Sequence, residues 1–192
     1  MRRLLVGLVV ALAVPLASCA GTASRSPAST SRPGASVRLD PSFEGTWLLD
    51  ATRSTSIDPW RGLTVVMDVQ GEAVVLERRW RGSGEGGAST DSSRFVPGGP
   101  AVRVALDQWA DNRHLGAFLA GDSTKTVVAR VEDGGQTLVT ESTLLVVVQQ
   151  GERPLRIYTE YRMDPDGGRL DVLELRSTRP TPLHYVFTRA QP

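Results

Sequence analysis

Disulfide bonding has no place in this sequence, because 192 residues contain a single cysteine, Cys19. A fold built from it is held by its core and hydrogen bonds, without internal cross-links. Histidine is nearly as scarce. His114 and His184 are alone, and no H-E-x-x-H or Cys/His cluster stands near either, which excludes the usual zinc patterns. No G-x-S-x-G elbow is present to expose a catalytic serine. Lys125 is the only lysine, and 22 basic residues stand against 21 acidic ones. Such a balance carries no basic stripe for nucleic acid. The longest apolar run, Leu4 to Ala17, reaches roughly 20 Å as a helix, short of the ~30 Å of a bilayer core. No long amphipathic helical pattern occurs between that run and the C-terminus, so a parallel α/β sheet is not expected.

What is present from Phe43 onward is period-two alternation, cut by Gly, Pro and Asp turns. Leu63, Val65, Met67 and Val69 share one face of a strand, and after Gln70-Gly71 so do Val74, Leu76 and Trp80. Val127, Ala129 and Val131 alternate before Asp133-Gly134-Gly135, which turns into a long strand, Thr137 to Gln149. After a turn at Gly151–Pro154, Leu155, Ile157, Thr159, Tyr161 and Met163 face one way. Asp164–Gly168 forms another hairpin into Arg169–Arg176, and the last strand covers Leu183–Arg189. Phe43–Leu49 is expected as the first strand, followed by an irregular segment, Asp50–Gly62, a candidate loop over a barrel mouth. Eight to ten strands joined by neighbouring hairpins predict an all-β, antiparallel up-and-down barrel that closes its own edges. A two-sheet sandwich is the competing arrangement. Asp107–Asp122, with Trp109, Leu115, Phe118 and Leu119, has no clear period. Leu144–Val148 is apolar on both faces and needs a cover.

Before the barrel, Arg2-Arg3 and the apolar run lead to Leu16-Ala17-Ser18-Cys19, which resembles the lipobox of bacterial lipoproteins. The resemblance implies cleavage before Cys19, acylation of its thiol, and a membrane anchor made effectively permanent by two or three acyl chains. It divides the chain into a signal peptide at 1–18, a linker at 19–40 and a barrel domain at 41–192. Losing Arg2 and Arg3 takes the 22 basic residues to 20 against 21 acidic, a net charge of about −1. Ala20–Ala35, rich in Ser, Thr and Pro, lacks the apolar side chains to offset its ordering entropy and is expected as a disordered tether. Ala20 is not the Asp that retains lipoproteins at the inner membrane. The resemblance therefore implies the outer membrane in a two-membrane cell, and otherwise the outer face of the plasma membrane.

Gly45-Thr46-Trp47 resembles the G-x-W opening of lipocalins and their calycin relatives, and Phe43–Asp50 is similar to the start of many lipocalin-like exported proteins. In that family the tryptophan closes one end of the barrel against a basic residue of the final strand. The resemblance gives those barrel-closing roles to Gly45, Trp47 and Arg189. It implies a small apolar or amphiphilic ligand. Arg78 shares parity with Val74, Leu76 and Trp80, so it points inward, and a buried arginine needs a carboxylate or an anionic ligand. Glu174, in parity with Leu170 and Val172, is the candidate partner. Arg78, Trp80, Thr159, Tyr161 and Glu174 are the ligand-binding candidates. The other reading is a module docking an envelope protein through the barrel exterior, by Leu144–Val148 or by Trp60 and Trp109.

No cofactor is expected. Gly82-Ser83-Gly84-Glu85-Gly86-Gly87 satisfies G-x-G-x-x-G, but Ala88–Ser93 is a poor helix to receive a pyrophosphate, which makes it a hairpin loop. Thr124-Lys125-Thr126 lacks the glycine of a P-loop, and Asp164–Gly167 lacks the remaining ligands of a calcium loop. Nothing in the sequence assigns a catalytic residue.

Overall fold

The computed structural model describes residues 38–82, 87–110 and 118–191. The expected signal peptide, Cys19 and the linker to residue 37 lie outside the described residues, as do His114 and the centre of the glycine-rich loop. The strands are β1 (Gly45–Leu49), β2 (Gly62–Gln70), β3 (Ala73–Arg81), β4 (Ala88–Phe95), β5 (Val102–Ala105), β6 (Phe118–Leu119), β7 (Thr124–Glu132), β8 (Thr137–Val148), β9 (Gly151–Met163), β10 (Arg169–Arg176) and β11 (Leu183–Arg189). Ten of them form one antiparallel path, β4-β3-β2-β1-β11-β10-β9-β8-β7-β5, and β6 pairs with β8. This single sheet rolls up so that its ends meet, with β4 lying against β5 and β7. The sheet is a nearly closed barrel and not two stacked layers.

Alternation explains the barrel residue by residue. Leu63, Val65 and Met67 on β2, and Val74, Leu76 and Trp80 on β3, are all buried. So are Leu155, Ile157, Thr159, Tyr161 and Met163 on β9. Each fully buried large apolar side chain stabilises the fold by roughly 1.5–3 kcal/mol. The first strand begins later than Phe43. Asp40 caps a short 3-10 turn, Pro41–Phe43, accepting from the Ser42 N–H at 2.8 Å, and the strand starts only at Gly45. The expected turn at Gly151–Pro154 is shorter too. Gln149 and Gln150 make it, and Pro154 lies within β9, opposite Leu145.

Four hairpins and the Pro41–Phe43 turn gather at one end, the base. There Asp40 N–H donates to Gly135 O at 3.0 Å, so the incoming chain crosses beneath the barrel. The long connection from β1 to β2 lies at the other end, the mouth. A second apolar cluster forms towards that end from Leu106, Leu144, Val146, Leu155 and Ile157, with Trp109 and Leu119 packed on it. Leu144 and Val146 are therefore covered from inside the barrel, and the face that was expected to need a cover is the outer one, which Leu145 and Val147 share by parity. In the plane of the sheet β6 runs beside β8, with Ala120 N–H donating to Leu145 O at 2.9 Å, while on the outer face Val147 remains 37% exposed.

Candidate ligand-binding site

At the base, Trp47 is wholly buried and its indole N–H donates to Phe43 O at 3.0 Å. The Arg189 guanidinium carbon lies 4.3 Å from the Trp47 ring centroid, and its Nη1 donates to Glu44 O at 2.6 Å. A second nitrogen, Nη2, reaches Ser42 O. Gly45 has φ +131°, and a Cβ there would stand 2.7 Å from Arg189 Nη1. Glycine is needed for both reasons. Gly45, Trp47 and Arg189 are thus packed against one another at the base of the barrel.

The mouth is organised by Asp50–Arg61. Beyond β1, side chains continue the pairing with β11: Val186 N–H donates to Ser54 Oγ at 2.9 Å and His184 N–H to Thr55 Oγ1 at 3.0 Å. The loop then dips inward at Ile57, which is buried, and rises to Trp60, whose ring centroid is 5.8 Å from that of Trp80. Between the loop and the rim of β1–β4 opens a cleft of about 870 Å³. Its apolar walls are Leu48, Leu49, Leu63, Trp60 and Trp80, and Leu48 is 46% exposed. Three arginines line it, Arg61, Arg79 and Arg81, against one carboxylate among the described residues, Asp58. Arg79 pairs with Glu77 at 2.5 Å, whereas Arg61 and Arg81 have no side-chain ion pair among the described residues.

Below the mouth the lumen is ionic. Arg78 Nη1 donates to Glu174 Oε2 at 2.6 Å, and Arg176 Nε donates to Glu174 Oε1 at 2.5 Å. One wholly buried carboxylate therefore serves two guanidiniums. Arg78 also lies 5.3 Å from the Trp80 ring, and Arg176 lies 5.1 Å from the Trp109 ring. Opposite them, Lys125 on β7 pairs with Asp91 on β4 across the seam. Burial by itself would raise the Glu174 pKa, but the charges of Arg78 and Arg176 prevail and bring it down to about 2. Burial pushes the Lys125 ammonium below its usual range, partly offset by Asp91. Burial raises the Tyr161 phenol, and pushes Tyr185 up to about 12.

Of the sequence-derived candidates, Arg78, Glu174, Thr159 and Tyr161 meet in the lumen, and Trp80 separates that lumen from the mouth cleft. Asp91, Lys125 and Arg176 join them without having been singled out by sequence, although each has a parity signal. Lys125 shares parity with Val127 and Ala129, Asp91 with Phe95, and Arg176 with Glu174. The water-sized space left in the lumen is about 30 Å³, whereas pockets for drug-sized ligands run to roughly 300–1,000 Å³. The lumen as it stands does not hold an acyl chain. Among the described residues no group of three His, Cys, Asp or Glu side chains is placed to hold a metal ion.

Compared with known proteins, the chain matches no family model and no curated protein. Among solved structures it is similar to the REP1-NXSQ fatty acid transporter, at 8% identity and a TM-score of 0.49, over 78% of this chain and 97% of that one. It is also similar to secretory abundant heat soluble protein 4 from Ramazzottius varieornatus, at 10% identity and a TM-score of 0.49, over 80% of this chain and 98% of that one.

Proposed function

We propose that this chain is an exported lipoprotein, acylated at Cys19, whose barrel binds a small amphiphilic ligand bearing a negative charge. The binding place is the mouth cleft, and the acidic end of the ligand meets Arg61 and Arg81. The observation that carries this reading is the cleft itself. At about 870 Å³ it has the size of a small-molecule site, it is walled by two tryptophans and exposed leucine, and its arginines outnumber its carboxylate. Apolar walls supply affinity by area, and a few placed cations fix orientation. The lumen beneath contributes a rigid floor, because Trp80 is held between Trp60 and Arg78. Leu16-Ala17-Ser18-Cys19 supports the anchoring half of the proposal.

Titration of the chain lacking residues 1–19 with anilinonaphthalene sulfonate, an apolar anion, tests the binding half. Saturable binding with a shift in tryptophan emission is expected, weakened about tenfold or more when Arg61→Ala and Arg81→Ala are combined. Absence of saturable binding, or indifference to those two changes, overturns the cleft as the site.

A further inference from the structure

The lumen holds unspent hydrogen-bonding capacity that the mouth cleft does not use. Arg78 donates one N–H to Glu174, and its other guanidinium N–H groups have no acceptor among the described residues. Lys125 donates to Asp91 alone, leaving two ammonium protons. The hydroxyls of Thr140, Thr159 and Tyr161 also lack a hydrogen bond to any described residue, although these three residues are at most 5% exposed. All five side chains line the same small cavity, whose remaining walls include Leu76, Val127 and Ile157. Buried polar groups are normally satisfied, so donors converging on one space mark a place built for an occupant.

We propose that this cavity is a second, independent site, which binds a short-chain carboxylate of the size of acetate between Lys125 and Arg78. Three properties select that ligand. The space of about 30 Å³ takes a small anion or a few waters and excludes longer chains. The unspent groups are mostly donors, and both charged ones are cations. Glu174 is shared between Arg78 and Arg176, so it compensates Arg78 incompletely. Leu76, Val127 and Ile157 then meet the methyl end. The other ionisable groups facing the cavity or its ion pairs are Asp91, Glu174, Tyr161, Tyr185 and Arg176. Asp91 is already engaged by Lys125, and the anion docks on the remaining ammonium protons. A carboxylate beside Lys125 also counters the desolvation that lowers its pKa.

The sequence supplies the reporter, because Lys125 is the only lysine. Lysine-selective carbon-13 labelling of the full chain in detergent gives one side-chain Cε resonance, followed by NMR while sodium acetate replaces sodium chloride at constant ionic strength. A saturable shift is expected, together with a higher Lys125 pKa in acetate. Tyr161→Phe, which keeps the ring and the reporter, is expected to weaken the response several-fold. Combining Arg61→Ala with Arg81→Ala at the mouth is expected to leave it unchanged, which separates this site from the cleft. A response to acetate that never saturates means an ordered water cluster only and overturns the proposal. So does a saturable response that survives Tyr161→Phe intact.

Discussion

Arg189 lies over the indole of Trp47, 4.3 Å from its centroid, from the position directly opposite it in the β1–β11 ladder. The guanidinium does three things at once: it covers the ring, and it bonds Glu44 O and Ser42 O of the incoming chain. Trp47→Ala removes a wholly buried side chain and is expected to cost about 3–5 kcal/mol. Arg189→Met keeps the stem but loses the cation–π contact and two charged hydrogen bonds, and is expected to cost about 1–3 kcal/mol. Gly45→Ala is expected to destabilise as well, because its Cβ would collide with Arg189 Nη1 at a φ of +131°. Urea unfolding of the three variants measures each cost. Near-neutral values would show that the base is closed by other contacts.

These contacts show how far local pattern reaches. The faces of β2, β3, β9 and β10 were legible because a strand half-buried in a barrel must alternate, and the parity of Arg78 and Glu174 followed from their apolar neighbours. Asp91 and Lys125 had the same parity signal, but Ala88–Ser93 carries no large apolar residue to announce a strand, and Lys125 stood at the edge of its run. The loop over the mouth was legible as the irregular segment Asp50–Gly62, but the cleft beneath it was not. It depends on Ser54 and Thr55 reaching His184 and Val186, more than 120 residues away, and no local period encodes that. β6 was invisible for a similar reason, since two residues are too few to show a period.

The seam sets a prediction about dynamics. No backbone ladder between described residues joins β4 to β5 or β7. Closure there rests on Asp91–Lys125, on Gln108 Nε2 donating to Ala88 O at 2.8 Å, and on Gly98 N–H donating to Ala129 O at 2.7 Å. Strands paired on one side only open at lower free energy than strands paired on both. Amide hydrogen exchange is expected to be faster in β4 and β5 than in β9 and β10, and Lys125→Met is expected to widen that difference. Uniform protection around the barrel would show that the seam is closed as firmly as the ladders.

Anchoring is tested apart from the fold. If Cys19 is acylated, cells fed a clickable palmitate analogue label the chain and retain it in the membrane fraction. Cys19→Ala is expected to abolish the label and to release the protein or leave it unprocessed. Membrane retention without label would remove the lipoprotein half of the proposed function while leaving the cleft untouched.

The last prediction concerns acid. Glu174 in the folded chain has its pKa brought from 4.5 to about 2, burial opposing the shift and the two arginines imposing it. A carboxyl with a depressed folded pKa contributes stability that is complete above its unfolded value and lost as pH falls through the folded one. The melting temperature is therefore expected to hold at neutral pH and to fall from about pH 4.5 towards pH 2, with Glu174 as one contributor. Glu174→Gln is expected to flatten part of that fall while costing about 3–5 kcal/mol at pH 7, because Arg78 and Arg176 are left in the interior without their carboxylate. Replacing the three together, Arg78→Met and Arg176→Met with Glu174→Met, is expected to recover much of the loss, since a buried ionic triad is often matched by apolar groups of similar volume. If that triple variant were as unstable as Glu174→Gln alone, the cost would lie in disrupted packing and not in an uncompensated charge.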